Sequence, residues 1–454
     1  MPNKNLILAL MMITSFITPF MGASVNIALP QIGAEFSIGA LTMSWVTMSF
    51  LLSTAVFPVP FGKLADQYGR VRIFIIGSLI LAAATLACAL STSIGLLITA
   101  RFVQGLGGAM MFSTNTAIVT SAFPPQERGK AIGLNVTAVY LGLSAAPVLG
   151  GFLTQTFGWR SLFYIVLALA LFVAITTKLV IRTDWKQEYP QPFDRKGAFL
   201  YILSMFAFVY GFSGLPDWTN IFLAFAGILG IGYFVTIEKS SSFPVLDVKL
   251  LFNNRLFAFS NLAALINYAT TYAITFILSL YLQYIKGLSP ADTGIILVIQ
   301  PILMAITASL SGRLSDKYSP GLIASTGLGV ICLGLGLLLF LDSGTSHAYL
   351  TVCLVILGTG FGLFSSPNTS AIMGSVEKKD LGIASAMVAT MRNTGQMISM
   401  GIATLLIHIF IGQAKISPAN YDRFMETLPI TFSIFIALSM VGIWASLTRN
   451  GKKI

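Results

Sequence analysis

Two arginines, Arg101 and Arg392, lie inside long apolar stretches of the sequence. A charged side chain at the centre of a bilayer costs roughly 2.5–3.5 kcal/mol on insertion scales, so such a residue is a functional candidate by default. Arg101 stands nearer the end of its stretch, where it would reach the membrane interface or pair with backbone carbonyls. Arg392 lies about halfway along its stretch, beside Asn393 and Gln396, and we expect it to face a polar cavity.

Neutral polar side chains within or near these stretches form a second group of candidates. Some of them must join helices by hydrogen bonds, and for any single residue this structural role competes with contact to a bound solute. Together they indicate a cavity with an amphipathic lining. The candidates for that lining are Asn26, Asn115, Tyr140, Asn267, Tyr268, Gln300 and Asn368, in addition to Arg392, Asn393 and Gln396.

The overall composition places these residues in a membrane. Of the 454 residues, 56% are hydrophobic and 9% are charged, and the mean hydropathy is +0.84. A soluble domain carries roughly 25% charged residues, so this chain has too little polar surface for water. The net charge of +11 is compatible with nucleic-acid binding, but the basic residues lie between apolar segments and form no single patch. We therefore expect the lipid bilayer as a partner and no nucleic acid.

The elements that must position the candidates are spanning helices. Fourteen segments reach the length of roughly 20 apolar residues that a spanning helix needs. With a cytoplasmic N-terminus, most of the 27 lysines and arginines fall on cytoplasmic segments, as the positive-inside rule requires. The sequence thus predicts a multi-pass plasma-membrane protein with both termini in the cytoplasm. We also expect no cleavable signal peptide and a monomeric functional unit.

Few side chains could support enzymatic chemistry. The three cysteines lie in apolar runs without the spacing of metal ligands, and the sequence has only two histidines. It also lacks a nucleotide-binding loop and a nucleophile–base pair. We expect no enzyme, no metal site and no cofactor, and any energy would come from a gradient of ions or solutes.

The chain repeats itself at a nearly constant offset. The segment GKLADQYG at 62–69 corresponds to GRLSDKYS at 312–319, and GLGGAMMFSTNT at 105–116 corresponds to GTGFGLFSSPNT at 358–369. Parallel six-helix repeats are typical of transporters, whose substrate site lies between the repeats. We predict a six-helix bundle over 1–190, an inserted two-helix hairpin with its linker over 191–252, and a second six-helix bundle over 253–454.

These segments resemble motifs of the major facilitator superfamily, in particular those of its fourteen-helix drug:proton antiporters. The resemblance covers essentially the whole chain. RFVQGLGGA at 101–109 is similar to the helix 4 motif, and GLSAAPVLGG at 142–151 to the helix 5 motif of exporters. The resemblance implies an all-α membrane protein with two six-helix pseudo-repeats, an inserted two-helix hairpin and 14 transmembrane helices. The positions that match the loop motif are Gly62, Asp66, Gly69 and Arg70, with Gly312 and Asp316 as their counterparts in the second repeat.

The resemblance also implies roles in gating and coupling. Asp66 would pair with Arg70 or cap a helix N-terminus as a latch on the cytoplasmic side; the alternative is a solvated loop. The family assigns a coupling role to residues at the positions of Arg101 and Gln104. In the helix 5 motif, a kinked and thin helix would seal the outer side and favour export, the alternative being ordinary packing of small residues. The residues of that motif are Gly142, Pro147, Gly150 and Gly151.

One departure from the family concerns the proton. Antiporters of this branch usually carry an acidic residue in helix 1, whereas all sixteen carboxylates of this chain fall in predicted loops or at span ends. Proton coupling would then have to use Asp66, Glu35 or His408, or the protein would work without it. A lipophilic cation would find no negative counter-charge within the spans. The positive charges of the two arginines therefore favour neutral or anionic solutes.

The leading hypothesis is a secondary-active transporter that exports small amphipathic drugs or metabolites by alternating access, with proton coupling. An alternative is a transporter or facilitator for a neutral or anionic metabolite without proton coupling. A hypothesis of another class is a non-transporting membrane sensor, which predicts no solute flux and tolerance of substitutions at Asp66.

Overall fold

The structure is a computed structural model that describes residues 4–181, 184–185, 193–241, 244–246, 248–315, 318–376, 381–412 and 414–449. Within these ranges all regular elements are helical, including a π-helical turn at Tyr281–Ile285 and a 3-10 turn at Pro418–Asn420. The α-helices are α1 (Lys4–Phe36), α2 (Ala40–Val56), α3 (Pro58–Tyr68), α4 (Arg70–Ala89), α5 (Ile94–Ala122), α6 (Pro125–Phe157), α7 (Arg160–Val180), α8 (Arg195–Ser213), α9 (Trp218–Ser240), α10 (Lys249–Asn253), α11 (Arg255–Leu280), α12 (Pro290–Leu297), α13 (Ile299–Leu314), α14 (Pro320–Leu338), α15 (His347–Gly374), α16 (Leu381–Ile411) and α17 (Tyr421–Thr448).

Most of these helices can cross a membrane. In the described residues, 12 helices are long and apolar enough, or 13 if α2 and α3, bent by 48° at their junction, form one span. The bend falls where Pro58 begins α3, since proline cannot continue the hydrogen bonding of α2. Helix α8 is not among the twelve; it opens with Arg195 and Lys196, which shorten its apolar run. The all-helical membrane fold is thus confirmed, whereas the count of fourteen spans stays a prediction.

The helices before α8 and after α10 pack in matching pairs. In the first set α1 lies along α6 and α4 along α5, and in the second set α11 lies along α16 and α14 along α15. We call α1–α7 the first half and α11–α17 the second half. The end of the bundle where α1 begins is called proximal, and the opposite end distal. The predicted domain boundary at 190 lies outside the described residues.

Glycines at matching positions bring helices into main-chain contact in both halves. A Cβ atom at Gly107 of α5 would lie 2.6 Å from the carbonyl oxygen of Gly77 on α4. A Cβ atom at Gly360 of α15 would lie 2.8 Å from the carbonyl oxygen of Gly327 on α14. Without a hydrophobic force between helices in lipid, such close approach is a main source of association.

Helices α8 and α9 pack along each other, and α8 also packs against both halves. The ring of Tyr210 on α8 lies 5.3 Å from that of Trp45 on α2, between ring centroids. On the other side, a Cβ atom at Gly401 of α16 would lie 2.6 Å from the ring of Phe212 on α8. Helix α8 therefore covers the seam between α2 and α16.

The glycine contact between α4 and α5 predicts the effect of a substitution. Gly107→Val is expected to destabilise the protein by about 1–3 kcal/mol, because an overpacked interior forces the two helices apart. Thermal unfolding of the purified protein in detergent measures this. Gly95→Val on the same helix is the control, since nothing lies within 4 Å of a Cβ atom there. Equal unfolding temperatures for the two variants would contradict the close packing.

Candidate functional site

A central cavity lies between the two halves, about midway along the helices. Its volume is about 90 Å³, below the range of roughly 300–1,000 Å³ that is usual for ligand pockets, so a drug-sized solute would need the halves to move apart. Most of the polar lining groups are amides, hydroxyls and phenols. The first half contributes Ala23, Asn26, Leu143 and Pro147, and the second half Tyr268, Thr271, Tyr272, Thr275, Leu297, Gln300, Pro301, Met304, Phe361 and Gln396.

Four of the ten predicted lining residues are in this wall: Asn26, Tyr268, Gln300 and Gln396. The ring of Tyr268 stands edge-on to that of Phe361, with 5.5 Å between centroids. Asn26 also accepts a hydrogen bond through its side-chain oxygen from the hydroxyl of Thr47, at 2.8 Å. The lining thus combines aromatic faces with amide groups, which suits an amphipathic molecule.

Three further candidates form a proximal layer, one helical turn from the cavity, in which the halves touch. The hydroxyls of Tyr140 and Ser365 share a hydrogen bond of 2.8 Å between α6 and α15. Asn393 on α16 donates through Nδ2 to the carbonyl oxygen of Thr54 on α2, at 2.6 Å. The guanidinium of Arg392 lies 4.5 Å from the centroid of the Phe112 ring on α5. We use the name proximal layer for these six residues.

Arg392 has an unusual environment within this layer. Its Nε donates to the side-chain oxygen of Asn393 at 3.5 Å, a long contact. In the described part of the chain its guanidinium pairs with no carboxylate, and it lies over the ring of Phe112, which gives it a cation–π contact. A positive charge therefore stands beside the cavity without a counter-ion.

A distal seal closes the opposite end of the cavity. Ser279 on α11 donates through Oγ to the carbonyl oxygen of Asn26, at 3.1 Å. Gln283 donates through Nε2 to the carbonyl oxygen of Ile27, at 3.0 Å. Both acceptors belong to the main chain of α1, so side chains of the second half close on the backbone of the first.

The helix 5 motif completes this seal. A Cβ atom at Gly151 would collide with the carbonyl oxygen of Pro290 on α12, and one at Gly294 with the carbonyl oxygen of Pro147. Helices α6 and α12 are therefore in main-chain contact across the two halves. The other two glycines of the motif, Gly142 and Gly150, serve the first half by letting α6 approach α1 at Phe16 and Ser24.

The loop motif lies at the proximal end and is bonded inside the first half. Arg70 forms a salt bridge with Asp66 at 2.8 Å and donates to the hydroxyl of Ser121 on α5 at 2.9 Å. The carboxylate of Asp184 caps α4 by accepting from the backbone N–H of Val71, at 2.9 Å. Asp66 thus pairs with Arg70, and Asp184, which the sequence analysis did not single out, supplies the cap.

Glycines of the loop motif differ in how crowded their positions are. Gly69 has a φ of 110°, which favours glycine, and a side chain there would collide with Asp184. Gly62 has more room, since a Cβ atom would lie 3.8 Å from the side chain of Ser113. In the second half, a Cβ atom at Gly312 would lie 2.9 Å from the hydroxyl of Ser366. The counterpart Asp316 lies outside the described residues.

Arg101 is fully buried in the first half and does not reach the membrane interface. Its Nε donates to the carbonyl oxygen of Val46 on α2 at 3.0 Å, and its Nη1 to the side-chain oxygen of Gln104 at 2.5 Å. Gln104 in turn donates through Nε2 to the hydroxyl oxygen of Thr85 on α4, at 2.7 Å. The guanidinium also lies 4.4 Å from the centroid of the Phe50 ring. Arg101 and Gln104 therefore join α2, α4 and α5.

The remaining candidates lie inside the helix bundles. Asn115 donates to the carbonyl oxygen of Met11 on α1 at 2.8 Å, and its counterpart Asn368 donates to that of Ser260 on α11 at 3.0 Å. Each of these residues ties the first helix of its half in place. Asn267 is fully buried, and neither polar atom of its side chain has a hydrogen-bond partner among the described residues.

Sequence reasoning missed Ser279 and Gln283 as members of the seal. A usable signal was their spacing, because residues four apart share one face of a helix. Gln283 in fact donates to the hydroxyl of Ser279 at 3.0 Å. The carbonyl of Asn26 had an indirect signal in Pro30, four residues later, whereas that of Ile27 had none.

The fold and the cavity define a class of protein, a membrane transporter built from two helical halves. The sequence profile of the Major Facilitator Superfamily matches residues 11–246 and 260–453, and the chain belongs to that superfamily. It is a multi-pass transport protein of the plasma membrane and not an enzyme.

Individual relatives are similar in sequence to this chain over most of its length. The chain is 29% identical to the riboflavin transporter RibZ of Clostridioides difficile over 91% of its own length and 90% of the relative's. It is 32% identical to the multidrug resistance protein Stp of Mycobacterium tuberculosis over 83% and 71%, respectively.

Solved structures show the same fold at low sequence identity. A bacterial homolog of the human lysosomal transporter Spinster, in an inward-facing and occupied conformation, matches with a TM-score of 0.73 and 17% identity over 99% of this chain and 97% of that one. Its inward-facing and unoccupied form matches with a TM-score of 0.72.

The main-chain contact of α6 with α12 predicts how the distal seal responds to a larger side chain. Gly151→Leu should hold the two helices apart and open the distal end. Labelling of Thr275→Cys, a cavity residue, by a membrane-impermeant thiol reagent added on the distal side should then rise several-fold. Gly133→Leu on the same helix is the control, because a Cβ atom there has nothing within 4 Å. Unchanged labelling in Gly151→Leu would refute the role of this contact.

Proposed function

We propose that the protein is a secondary-active exporter of small amphipathic molecules that works by alternating access. The observation that carries the proposal is a cavity between two halves, with a distal seal on one side and a thin proximal layer on the other. In this arrangement the proximal end is cytoplasmic, in keeping with the positive-inside rule. A solute enters when the proximal layer parts and leaves when the distal seal parts.

The balance of charge supports neutral or anionic solutes over cations. In the part of the chain that the structure describes, no carboxylate lines the cavity, whereas Arg392 stands one turn away. A charge-assisted hydrogen bond to Arg392 would stabilise an anionic group of the solute as it passes the proximal layer. Relatives named for riboflavin transport and for multidrug resistance give two starting points for a screen.

Energy coupling forms the second part of the proposal. Export by proton antiport would require a proton-carrying group outside the cavity wall, and Glu35, Asp66 and His408 are the candidates. The competing function is a facilitator or exchanger for a neutral or anionic metabolite, which the lack of a carboxylate in the described wall favours. In both cases we place α8 and α9 as an inserted spanning hairpin, which makes fourteen spans, and we take the monomer as the working unit.

Flux in proteoliposomes tests the proposal. Purified protein would be reconstituted, and uptake of an anionic dye, riboflavin and a cationic dye would be followed together with internal pH. We expect flux of at least the neutral or the anionic compound. Proton movement tied to that flux would establish antiport, and flux without it would make the facilitator the better account. No flux of any class would favour the non-transporting sensor.

Replacing the unpaired charge tests the solute preference. Arg392→Gln should lower flux of an anionic solute about tenfold or more, because a hydrogen bond to a charged group contributes about 1.5–3 kcal/mol. Flux of a cationic dye should not fall. Arg423→Gln, at an exposed position, is the control for the loss of one positive charge. Equal losses for anion and cation in Arg392→Gln would show that Arg392 supports the structure instead of selecting the solute.

A further inference from the structure

Three prolines interrupt main-chain hydrogen bonding at the central cavity. Proline has no N–H group, so the carbonyl four residues earlier loses its helical donor. Pro30 lies inside α1 and Pro147 inside α6, and Pro301 follows the break between α12 and α13. The carbonyls released in this way belong to Asn26, Leu143 and Leu297, and all three of these residues line the cavity.

The carbonyl of Asn26 shows what a released acceptor does in this protein. It receives the hydroxyl of Ser279 from the other half at 3.1 Å, as part of the distal seal. An unpaired carbonyl in a membrane interior is unfavourable, and a neighbouring donor satisfies it. The released carbonyls of Leu143 and Leu297 therefore also need a hydrogen-bond donor.

The carbonyls of Leu143 and Leu297 lie at the cavity wall. Each lies between its own residue and the proline one turn further on, and the pairs Leu143–Pro147 and Leu297–Pro301 both line the wall. Among the described residues, no donor from outside its own helix reaches either carbonyl. One acceptor comes from each half, so a molecule that binds both would connect α6 with the α12–α13 segment.

The remaining wall decides which donor fits. A cation would suit two carbonyls, but the described wall has no carboxylate and the charge of Arg392 is one turn away. Three aromatic side chains, Tyr268, Tyr272 and Phe361, belong to the wall, and aromatic rings of this kind favour stacked or edge-on contact with a flat ring. We infer that the cavity binds an uncharged planar heterocycle whose ring N–H groups donate to the main-chain carbonyls of Leu143 and Leu297. This inference rests on the proposed transport function and specifies the class of solute.

A pair of probes that differ in one N–H group tests the inference. Riboflavin carries an imide N–H between two ring carbonyls, and its N3-methyl derivative lacks that donor. We expect the purified full-length protein in detergent to bind the methylated compound about tenfold more weakly than riboflavin, which is the loss of one hydrogen bond. Quenching of flavin fluorescence on binding is the readout.

Variants separate the carbonyls from the side chains around them. Pro147→Ala and Pro301→Ala each restore an N–H that engages the released carbonyl, so discrimination between the two probes should narrow in the variant whose carbonyl receives the single imide N–H of riboflavin. Leu143→Ala keeps its carbonyl and should keep the discrimination. Pro429→Ala, inside α17 and outside the cavity wall, controls for the loss of a helix proline.

The outcomes are distinct. Equal binding of both probes by the wild type overturns the inference even if a proline variant fails to fold. Full discrimination in both Pro147→Ala and Pro301→Ala also overturns it. If the wild type binds neither probe, this class of solute is wrong, while flux of another compound in proteoliposomes would still support the proposed transport function.

Discussion

A helix in hydrocarbon must satisfy its own main-chain hydrogen bonds, because lipid offers neither donors nor acceptors. In this protein, prolines near the cavity leave main-chain carbonyls without their helical donors. Glycines at helix contacts leave room for two backbones to touch. Pro30 releases the carbonyl of Asn26, which then accepts from Ser279 of the other half. Gly151 and Gly294 allow α6 and α12 to touch through their backbones. The cavity lies among these interruptions, so the features that weaken single helices also join the two halves. A seal of this kind depends on a few hydrogen bonds and close contacts, which rigid halves can break and remake together.

The two intramembrane arginines show how the surroundings decide the role of a charge. Arg101 is enclosed by a carbonyl, an amide and an aromatic ring, and it holds three helices of one half together. Arg392 meets an aromatic ring of the opposite half and lacks a carboxylate partner in the described chain. Its contact with Phe112 joins the two halves. In the proposed transport cycle, a solute that attracts the guanidinium would therefore also weaken the proximal layer. This link between solute and gate does not require a buried acid.

Much of the architecture could be predicted from sequence, because apolar length, positive charge between spans and the internal repeat are all visible there. The matching glycine contacts at Gly107 and Gly360 follow from that repeat. The polar candidates were harder to sort. Asn26 lines the cavity while Asn115 ties α5 to α1, yet both are asparagines in apolar helices. Which face of a helix meets the other half depends on packing across the whole bundle. The carbonyl acceptors were harder still to predict, since only a proline four residues later distinguishes one main-chain carbonyl from another.

Distances between the two halves, measured by pulsed electron paramagnetic resonance, test alternating access most directly. One pair of spin labels at the exposed positions Phe157 and Phe340 reports on the distal end, and a second pair at Tyr68 and Tyr318 reports on the proximal end. The labels require prior replacement of the three native cysteines. When a transported solute is added, we expect the two distances to change in opposite directions, one end closing as the other opens. Solute flux without any change in either distance, or a change of both in the same direction, would contradict a cavity that opens alternately to the two sides.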